Sequence, residues 1–346
     1  MMEAPSFKRQ LISLFFALLV VLPLAMLYRE FFAESRLASG VTLRTQDYRG
    51  WTNSLVLENP EAEVVVVPAV GRVMQFRFKS GSGPFWENES MHGKAPDPLS
   101  ADWGNFGGDK AWPSPQSDWP KQTPRSWPPP PAFDSMPAEA VIKGSKVILR
   151  SAVDPFYGIR TEREVVLDPN LPRMTIVTTF ERVPASTLVP SAPLTNAIGV
   201  WIITQLQEPL AVFMPVAKGP LFPEGYRLQS EAPPTNLNLE NGLLSLTRDS
   251  ELSHKVGNDA GTLVWVGDRV VLRIDSPRQI GAEYPDQGSS AEVYTSPSPL
   301  NYVELEMLGP LHEMKAGDRV SQTNVYTLFR RKLPTPAEEA RRVLGH

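Results

Sequence analysis

Short β-rich runs separated by turn residues fill most of this 346-residue chain, and they constrain its fold more than any other feature. In RMTIVTTFER, alternate residues from Met174 to Phe180 share one side, which is the period of two typical of a strand. Turn residues at Gly144-Ser145, at 168–170 and at Gly267-Asp268 predict hairpins. Strands at such short intervals predict an all-β sandwich or barrel. No repeat of 20 to 50 residues is visible, which argues against a propeller or a solenoid.

Proline and cysteine counts support this interpretation. The chain has 35 prolines, about twice the usual share, and no cysteine. Proline-rich loops between short strands fit a sandwich, while the absence of cysteine excludes disulfides, thiolate catalysis and thiolate zinc sites. We therefore predict one large antiparallel sandwich over residues 35–332. A short helical tail follows over 333–346, in which Pro336 starts a helix and Gly345 ends it.

An apolar run, Leu11–Leu27, begins the chain behind Lys8 and Arg9 and predicts an N-terminal apolar helix. Its length lies between the apolar core of a signal peptide and a short membrane span. Two alternatives stay open for residues 1–34. Pro23 favours a cleaved signal peptide, and the lack of a clear cleavage site favours a retained membrane anchor. In both, the positive flank predicts export to the cell envelope or periplasm, with the chain tethered to the inner membrane if the segment is kept.

Several function classes are disfavoured. The net charge is −4 with both signs mixed, so the sequence offers no basic stripe for nucleic acid. No serine-hydrolase elbow, dinucleotide fingerprint or phosphate loop is present, and we predict no cofactor. Metal binding stays open, since four carboxylates would surround a cation only if the fold gathers them: Asp286, Glu292, Glu304 and Glu306. The oligomeric state is open as well.

A long span without strand or helix periodicity, residues 80–138, interrupts the strand pattern. Long loops inside compact domains are functional or disordered, and disordered segments are poor in aromatic residues. This span is rich in them, so we expect an ordered loop packed over a surface. It holds five of the chain's eight tryptophans: Trp86, Trp103, Trp112, Trp119 and Trp127.

The stretch NFGGDKAWPSPQSDWP lies within this span. Its glycine pair, Gly107 and Gly108, permits positive φ and close approach of the backbone to a ligand. Flat indole rings beside polar donors and acceptors suit a sugar, which has apolar faces and a rim of hydroxyls. The alternative is a loop that only caps the end of the sandwich. The predicted ligand-contacting residues here are Asp109, Lys110, Trp112, Gln116 and Trp119.

A late segment, NYVELEMLGP, brings two acids together. As a strand it places Tyr302, Glu304 and Glu306 on one face, with the carboxylates about 7 Å apart along the strand. In a partly buried cleft their repulsion would raise one pKa and suit that group to general-base catalysis. The alternative is an ordinary solvent-facing strand.

Several segments resemble the galactose mutarotase-like (aldose 1-epimerase) superfamily. EVVVVPAVGRVMQFRFKSGSGPFWENE is similar to its opening strand, glycine turn and strand, and NFGGDKAWPSP to the Gly-Gly and Trp-Pro stretch of the hexose-phosphate epimerase branch. PLTNAIGVWIITQL lies where the family has its Thr-Asn-His segment, and YVELEMLGPL resembles its C-terminal Leu-Glu strand. The resemblance spans about residues 50–330 and implies an antiparallel β-supersandwich that binds a sugar.

The same resemblance implies roles for individual residues. Glu306 would correspond to the general base, Arg72 would lie near the cleft, and Asn105 would line it with Asp109, Lys110 and Trp112. Ala197 stands where the family has its acid histidine, and a methyl group cannot donate a proton. His254 is our candidate for the missing acid, with Lys110 or Lys255 as alternatives.

Two hypotheses follow. The first is an epimerase-like isomerase that interconverts sugar anomers, with Glu306 as base, Glu304 tuning its pKa and His254 as acid. The second is a non-catalytic carbohydrate-binding or sensing module of the cell envelope, which Ala197 favours. Both predict a sugar or glycan as the ligand.

Overall fold

The computed structural model describes residues 35–36, 40–79, 81–184, 194, 196–217, 219–231 and 233–345. Residues 1–34 lie outside the described residues, and so does the choice between signal peptide and anchor. Within the described residues, no helix combines the length and the apolar character that crossing a bilayer requires.

Antiparallel strands form two large sheets. In chain order the strands are β1 Ser35–Arg36, β2 Thr42–Tyr48, β3 Trp51–Glu58, β4 Ala62–Val67, β5 Arg72–Phe78, β6 Asp109–Ser114, β7 Glu139–Lys143, β8 Lys146–Val153, β9 Ile159–Leu167, β10 Arg173–Arg182, β11 Gly199–Gln207, β12 Ala211–Pro215, β13 Arg227–Leu228, β14 Asn238–Glu240, β15 Leu243–Leu246, β16 His254–Asn258, β17 Thr262–Val266, β18 Val270–Asp275, β19 Ala291–Thr295, β20 Tyr302–Leu308 and β21 Arg319–Arg330. The first sheet has the order β1-β2-β3-β4-β5-β6-β11-β20-β19-β16-β13, and the second β14-β15-β12-β17-β18-β21-β10-β9-β8-β7.

Helices are short and lie outside the sheets. They are α1 Trp119–Gln122, α2 Pro131–Asp134, α3 Pro285–Gly288 and α4 Pro336–Leu344, with 3-10 turns at Pro68–Val70, Glu89–Met91 and Gln116–Asp118. Thr335 closes a capping box at the start of α4, and Gly345 ends the helix with a left-handed φ of 85°. Ala340 and Val343 pack α4 against the outer face of the second sheet.

The main core lies between the two sheets. Val303, Leu305 and Met307 of β20 point into it and share one cluster with Ile176 of β10 and Leu272 of β18. The inward residues of each strand alternate with outward ones, as the period of two requires. The predicted all-β antiparallel sandwich is therefore confirmed.

The hairpin predictions are also confirmed, since β7–β8, β9–β10 and β17–β18 pair in register across the predicted turns. One expectation was wrong: the span 80–138 contains β6, which lies inside the first sheet between β5 and β11. Pro113 hid this strand, because proline is unusual inside a sheet. The carbonyl of Pro113 accepts a hydrogen bond from Trp119 Nε1 at 2.8 Å. This carbonyl is therefore bonded to an indole side chain and not to a neighbouring strand. A position whose carbonyl bonds outside the ladder is one where the missing N–H of proline is tolerated.

Candidate functional site

A cleft of about 660 Å³ lies on the face of the first sheet that points away from the core. Tryptophans form much of its wall, and acids and a lysine lie at its floor. The lining residues are Trp103, Trp112, Gln116, Trp127, Trp201, Gln229, Ser230, Glu231, Leu252, Ser253, His254, Lys255, Tyr294, Tyr302, Glu304 and Glu306.

Strand register explains how this floor is assembled. Directly opposite residues in paired strands lie on the same face of the sheet, so the partner of a cleft residue on the next strand also lies on the cleft side. Glu304 of β20 is the register partner of Tyr294 on β19, and Tyr294 is the register partner of Lys255 on β16. On the other side, Trp201 of β11 faces Trp112 of β6. Side chains from five strands thus meet over one patch of sheet.

Lys255 lies between two carboxylates. Its Nζ is 2.7 Å from Glu292 Oε2 and 3.0 Å from Glu306 Oε2, and it lies 4.6 Å from the centroid of the Trp201 ring. Trp201 Nε1 donates to the same Glu306 oxygen at 2.7 Å, and Gln229 Nε2 donates to Glu292 Oε1 at 2.6 Å. Hydrogen bonds and ion pairs therefore hold Lys255, Glu292 and Glu306 in place.

The pKa of Glu306 is raised by these buried surroundings. Burial raises its pKa from 4.5 to about 8, Lys255 opposes the shift, and the negative charges of Glu292 and Glu304 add to it. Glu306 therefore holds a proton near neutral pH. For Lys255, burial lowers the pKa, but attraction to Glu292 and Glu306 outweighs it and the pKa is raised.

The four acids for which the sequence left metal binding open come together in part. The cation between Glu292 and Glu306 is Lys255, and Asp286 is close enough for Lys255 to affect its pKa, which burial raises to about 6. Among the described residues, no group of three or more His, Cys, Asp or Glu side chains is arranged to hold a metal ion.

Glu304 pairs with the second lysine of the site. Lys110 Nζ lies 3.3 Å from Glu304 Oε1, and 4.8 and 5.3 Å from the ring centroids of Trp112 and Trp103. Lys110 is only 1% exposed, and this burial lowers its pKa while Glu304 opposes the shift. Lys110, which was predicted to contact the ligand, thus lies beneath the indole wall and forms an ion pair with Glu304.

Asp134 of α2 fixes the indole wall from behind. Its Oδ1 accepts hydrogen bonds from Arg72 Nη2 at 2.6 Å and from Trp112 Nε1 at 2.9 Å, and its Oδ2 accepts one from Trp103 Nε1 at 2.8 Å. Both ion-paired side chains are 1% exposed. The rings then pack edge to face, with centroids 5.7 Å apart for Trp103–Trp112 and 5.5 Å for Trp112–Trp201.

Of the predicted site residues, the structure brings Glu304, Glu306, Tyr302, Trp112 and Gln116 into the cleft. Their roles toward a ligand stay predictions.

Four other predicted residues lie beneath or beside the cleft. Arg72 is the partner of Asp134, and Trp119 is fully buried against Trp112. Asn105 is 4% exposed in the loop before β6. Asp109 faces the inter-sheet core, because alternation along β6 sends it to the side opposite Lys110. Its carboxylate binds Arg163, Thr204 and Tyr326.

His254 differs from the expectation of a catalytic acid. It lies at the start of β16 in the wall of the cleft, but alternation places its side chain on the core side with Val256, opposite Lys255. There the imidazole is 1% exposed, and its Nε2 lies 3.1 Å from Asp249 Oδ2. A ring that points to the core side is disfavoured as the acid toward a ligand in the cleft.

The glycine pair also has a different task from the one expected. A Cβ on Gly107 would lie 2.3 Å from the carbonyl oxygen of Trp86, and one on Gly108 would lie 2.6 Å from that of Val73. The two glycines let the chain pass between neighbouring backbone segments and enter β6. Close packing of the backbone in the sheet therefore accounts for both glycines, and a contact with a ligand stays a prediction.

Sequence reasoning missed Asp134, Trp201 and Tyr294. Trp201 and Tyr294 each lie within a predictable β-run, so strand pairing, had it been known, would have revealed them. Asp134 carried no such signal, since it follows the proline run of a segment without periodicity.

The two antiparallel sheets and the cleft on one of them define a large two-sheet β-sandwich. No family model and no curated protein matches the sequence. Among solved structures, a "putative mutarotase (YeaD)" from Salmonella typhimurium is similar with 9% identity and a TM-score of 0.51, over 88% of this chain and 100% of that one. A "putative aldose 1-epimerase" from Escherichia coli K12 has 11% identity and a TM-score of 0.49, over 80% and 98%. Galactose 1-epimerase from Lactobacillus acidophilus NCFM has 10% and 0.46, over 84% and 98%. The similarity to the Salmonella structure confirms the predicted resemblance at the level of the fold.

Proposed function

We propose that the cleft binds a carbohydrate and interconverts its anomers, with Glu304 and Glu306 as the proton-transferring pair. One observation carries this proposal: two acids of one strand lie on the floor of a cleft walled by indole rings. Indole faces suit the apolar faces of sugar rings, and carboxylates suit their hydroxyls.

The two acids are suited to different roles. Glu304 is the more accessible, with 11% of its side chain exposed at the floor of the cleft, so its carboxylate suits a base that meets a hydroxyl of the ligand. Glu306 holds a proton near neutral pH because burial raises its pKa, which suits a general acid. Pairs of acids whose surroundings differ in this way divide acid and base roles between them. This division reverses the expectation that Glu306 is the base.

The chemistry then balances within the site. Glu304 takes the proton from the anomeric hydroxyl while Glu306 protonates the ring oxygen, and the bond between C1 and the ring oxygen breaks to give the open-chain aldehyde. Rotation about the C1–C2 bond and the reverse proton transfers close the ring as the other anomer. No net proton is gained or lost.

Exchange spectroscopy by NMR, across a broad panel of aldoses, tests this function. We expect accelerated anomer exchange, reduced by about 10² to 10⁴ in rate in Glu304→Gln and in Glu306→Gln. Glu181→Gln is the matched control, because Glu181 lies on β10 of the other sheet, in a surface ion pair with Arg319. Absence of exchange with every aldose would reject the catalytic proposal.

A non-catalytic carbohydrate-binding module is the second candidate. It is favoured by Ala197, which cannot replace the family's histidine, and by the core-facing ring of His254. In that case sugar affinity survives Glu306→Gln and falls in Trp112→Ala, without anomer exchange in the parent protein.

A further inference from the structure

The cleft has an aromatic surface at each end of its acid pair. Trp201 lies opposite Leu308 at one end of β20, and Trp112 continues this surface on β6. At the other end, Tyr302 lies beside Tyr294, with ring centroids 6.3 Å apart. A ligand that uses both surfaces has to cross the acids between them.

The strand that runs between these surfaces is longer than one sugar ring. Tyr302 and Leu308 mark the ends of β20, six residues or roughly 20 Å apart along an extended strand. Packed at the density of an organic crystal, one hexose ring occupies roughly 200 Å³. The cleft of about 660 Å³ therefore has room for about three rings.

The charge of the cleft selects against anions. Within the part of the chain that the structure describes, each lysine of the floor is already paired, Lys110 with Glu304 and Lys255 with Glu292 and Glu306. Glu231 adds a further acid to the wall. A phosphate or carboxylate on the ligand would lose its water and meet more acids than cations, which is unfavourable.

We propose that the ligand of this cleft is an uncharged oligosaccharide of about three rings, lying along β20 with rings on the tryptophan surface and on the tyrosine surface. This inference rests on the proposed carbohydrate-binding function and gives its substrate class. A monosaccharide fills only the part beside the acids, and phosphorylated sugars and uronic acids are excluded.

Calorimetric titration tests the number of rings. The probes are linear oligosaccharides of glucose, galactose, mannose and xylose with one to six rings. We expect the affinity of the best series to rise by about tenfold or more from one ring to three and then to level off, equivalent to one decade in Kd. Equal affinity for one ring and for three would overturn the inference and leave the proposed function intact. Absence of binding at every length would count against the proposed function itself.

A second pair of probes tests the charge. Oligogalacturonate and its methyl ester have the same rings and linkages and differ in their carboxylates. We expect the neutral ester to bind at least about tenfold more tightly than the acid. Equal or tighter binding of the acid would overturn the exclusion of anions.

Variants tie these results to the cleft. Tyr294→Ala removes part of the tyrosine surface and Trp127→Ala removes an indole that is 42% exposed at the rim. We expect each to reduce the gain from one ring to three, while Leu99→Ala, at a site 91% exposed and outside the cleft lining, leaves the gain unchanged. An undiminished gain in both aromatic variants, with near-ultraviolet circular dichroism showing native folds, would contradict the placement along β20.

Discussion

Replacing Asp134 by alanine should destabilise the protein far more than the loss of an ordinary ion pair. The carboxylate accepts hydrogen bonds from Arg72, Trp103 and Trp112, and both members of the ion pair are 1% exposed. Removing it leaves a buried guanidinium without its counter-charge, which costs about 3–5 kcal/mol. Two indole N–H groups lose their acceptor as well, at about 1–3 kcal/mol for each that stays buried. Because water enters and such terms do not add, we expect a total loss of about 4–6 kcal/mol.

Urea unfolding at neutral pH, followed by tryptophan fluorescence, measures this loss. The control is Glu181→Ala, since Glu181 and Arg319 form an ion pair with side chains 28% and 48% exposed, and a loss under about 1 kcal/mol is expected. Asp134→Asn should fall between the two, because the amide keeps one acceptor oxygen but presents N–H groups to one of the indoles.

The double variant Arg72→Met with Asp134→Leu separates charge from packing. It removes both charges together, so we expect it to recover at least half of the loss seen in Asp134→Ala. A loss of under about 1 kcal/mol in Asp134→Ala, equal to the surface control, would refute the reasoning. It would mean that water or another side chain replaces the carboxylate at no cost.

Two further predictions concern the glycine pair and the acid pair. Gly108→Ala should destabilise by more than about 1 kcal/mol in urea unfolding, because its φ is +72° and the new Cβ would meet a backbone carbonyl of β5. Gly144→Ala, with φ +58° and open space around it, should cost less, and equal losses would refute the steric argument. Folded Glu306 holds a proton that the unfolded chain releases above its usual pKa of 4.5, so this group makes the free energy of unfolding fall as pH rises from 4.5 to about 8. Unfolding of Glu306→Gln over this range should therefore depend less on pH than in the parent, and identical slopes would contradict the raised pKa.

Strand alternation made the acid pair predictable. Tyr302, Glu304 and Glu306 share a face because successive side chains in any strand point to opposite sides, which needs no knowledge of neighbours. The hairpins at Gly144-Ser145 and Gly267-Asp268 were predictable for a similar reason, because turn residues set the backbone conformation of their own short segment. The all-β class and the helix from Pro336 also follow from such short-range signals.

The sequence by itself thus determined many of the strands and which residues of each strand share a face, but not β6, which Pro113 hid. Only the tertiary structure decided which face is the cleft and what meets there, because strand pairing joins residues far apart in the chain. Lys255 comes to Glu306 through β19, and Asp134 comes to Trp112 from a loop without periodicity. Pairing also sends Asp109 and His254 to the core side of the first sheet. Local periodicity determines which residues of a strand share a face, but burial between the sheets determines which of the two faces turns toward the core.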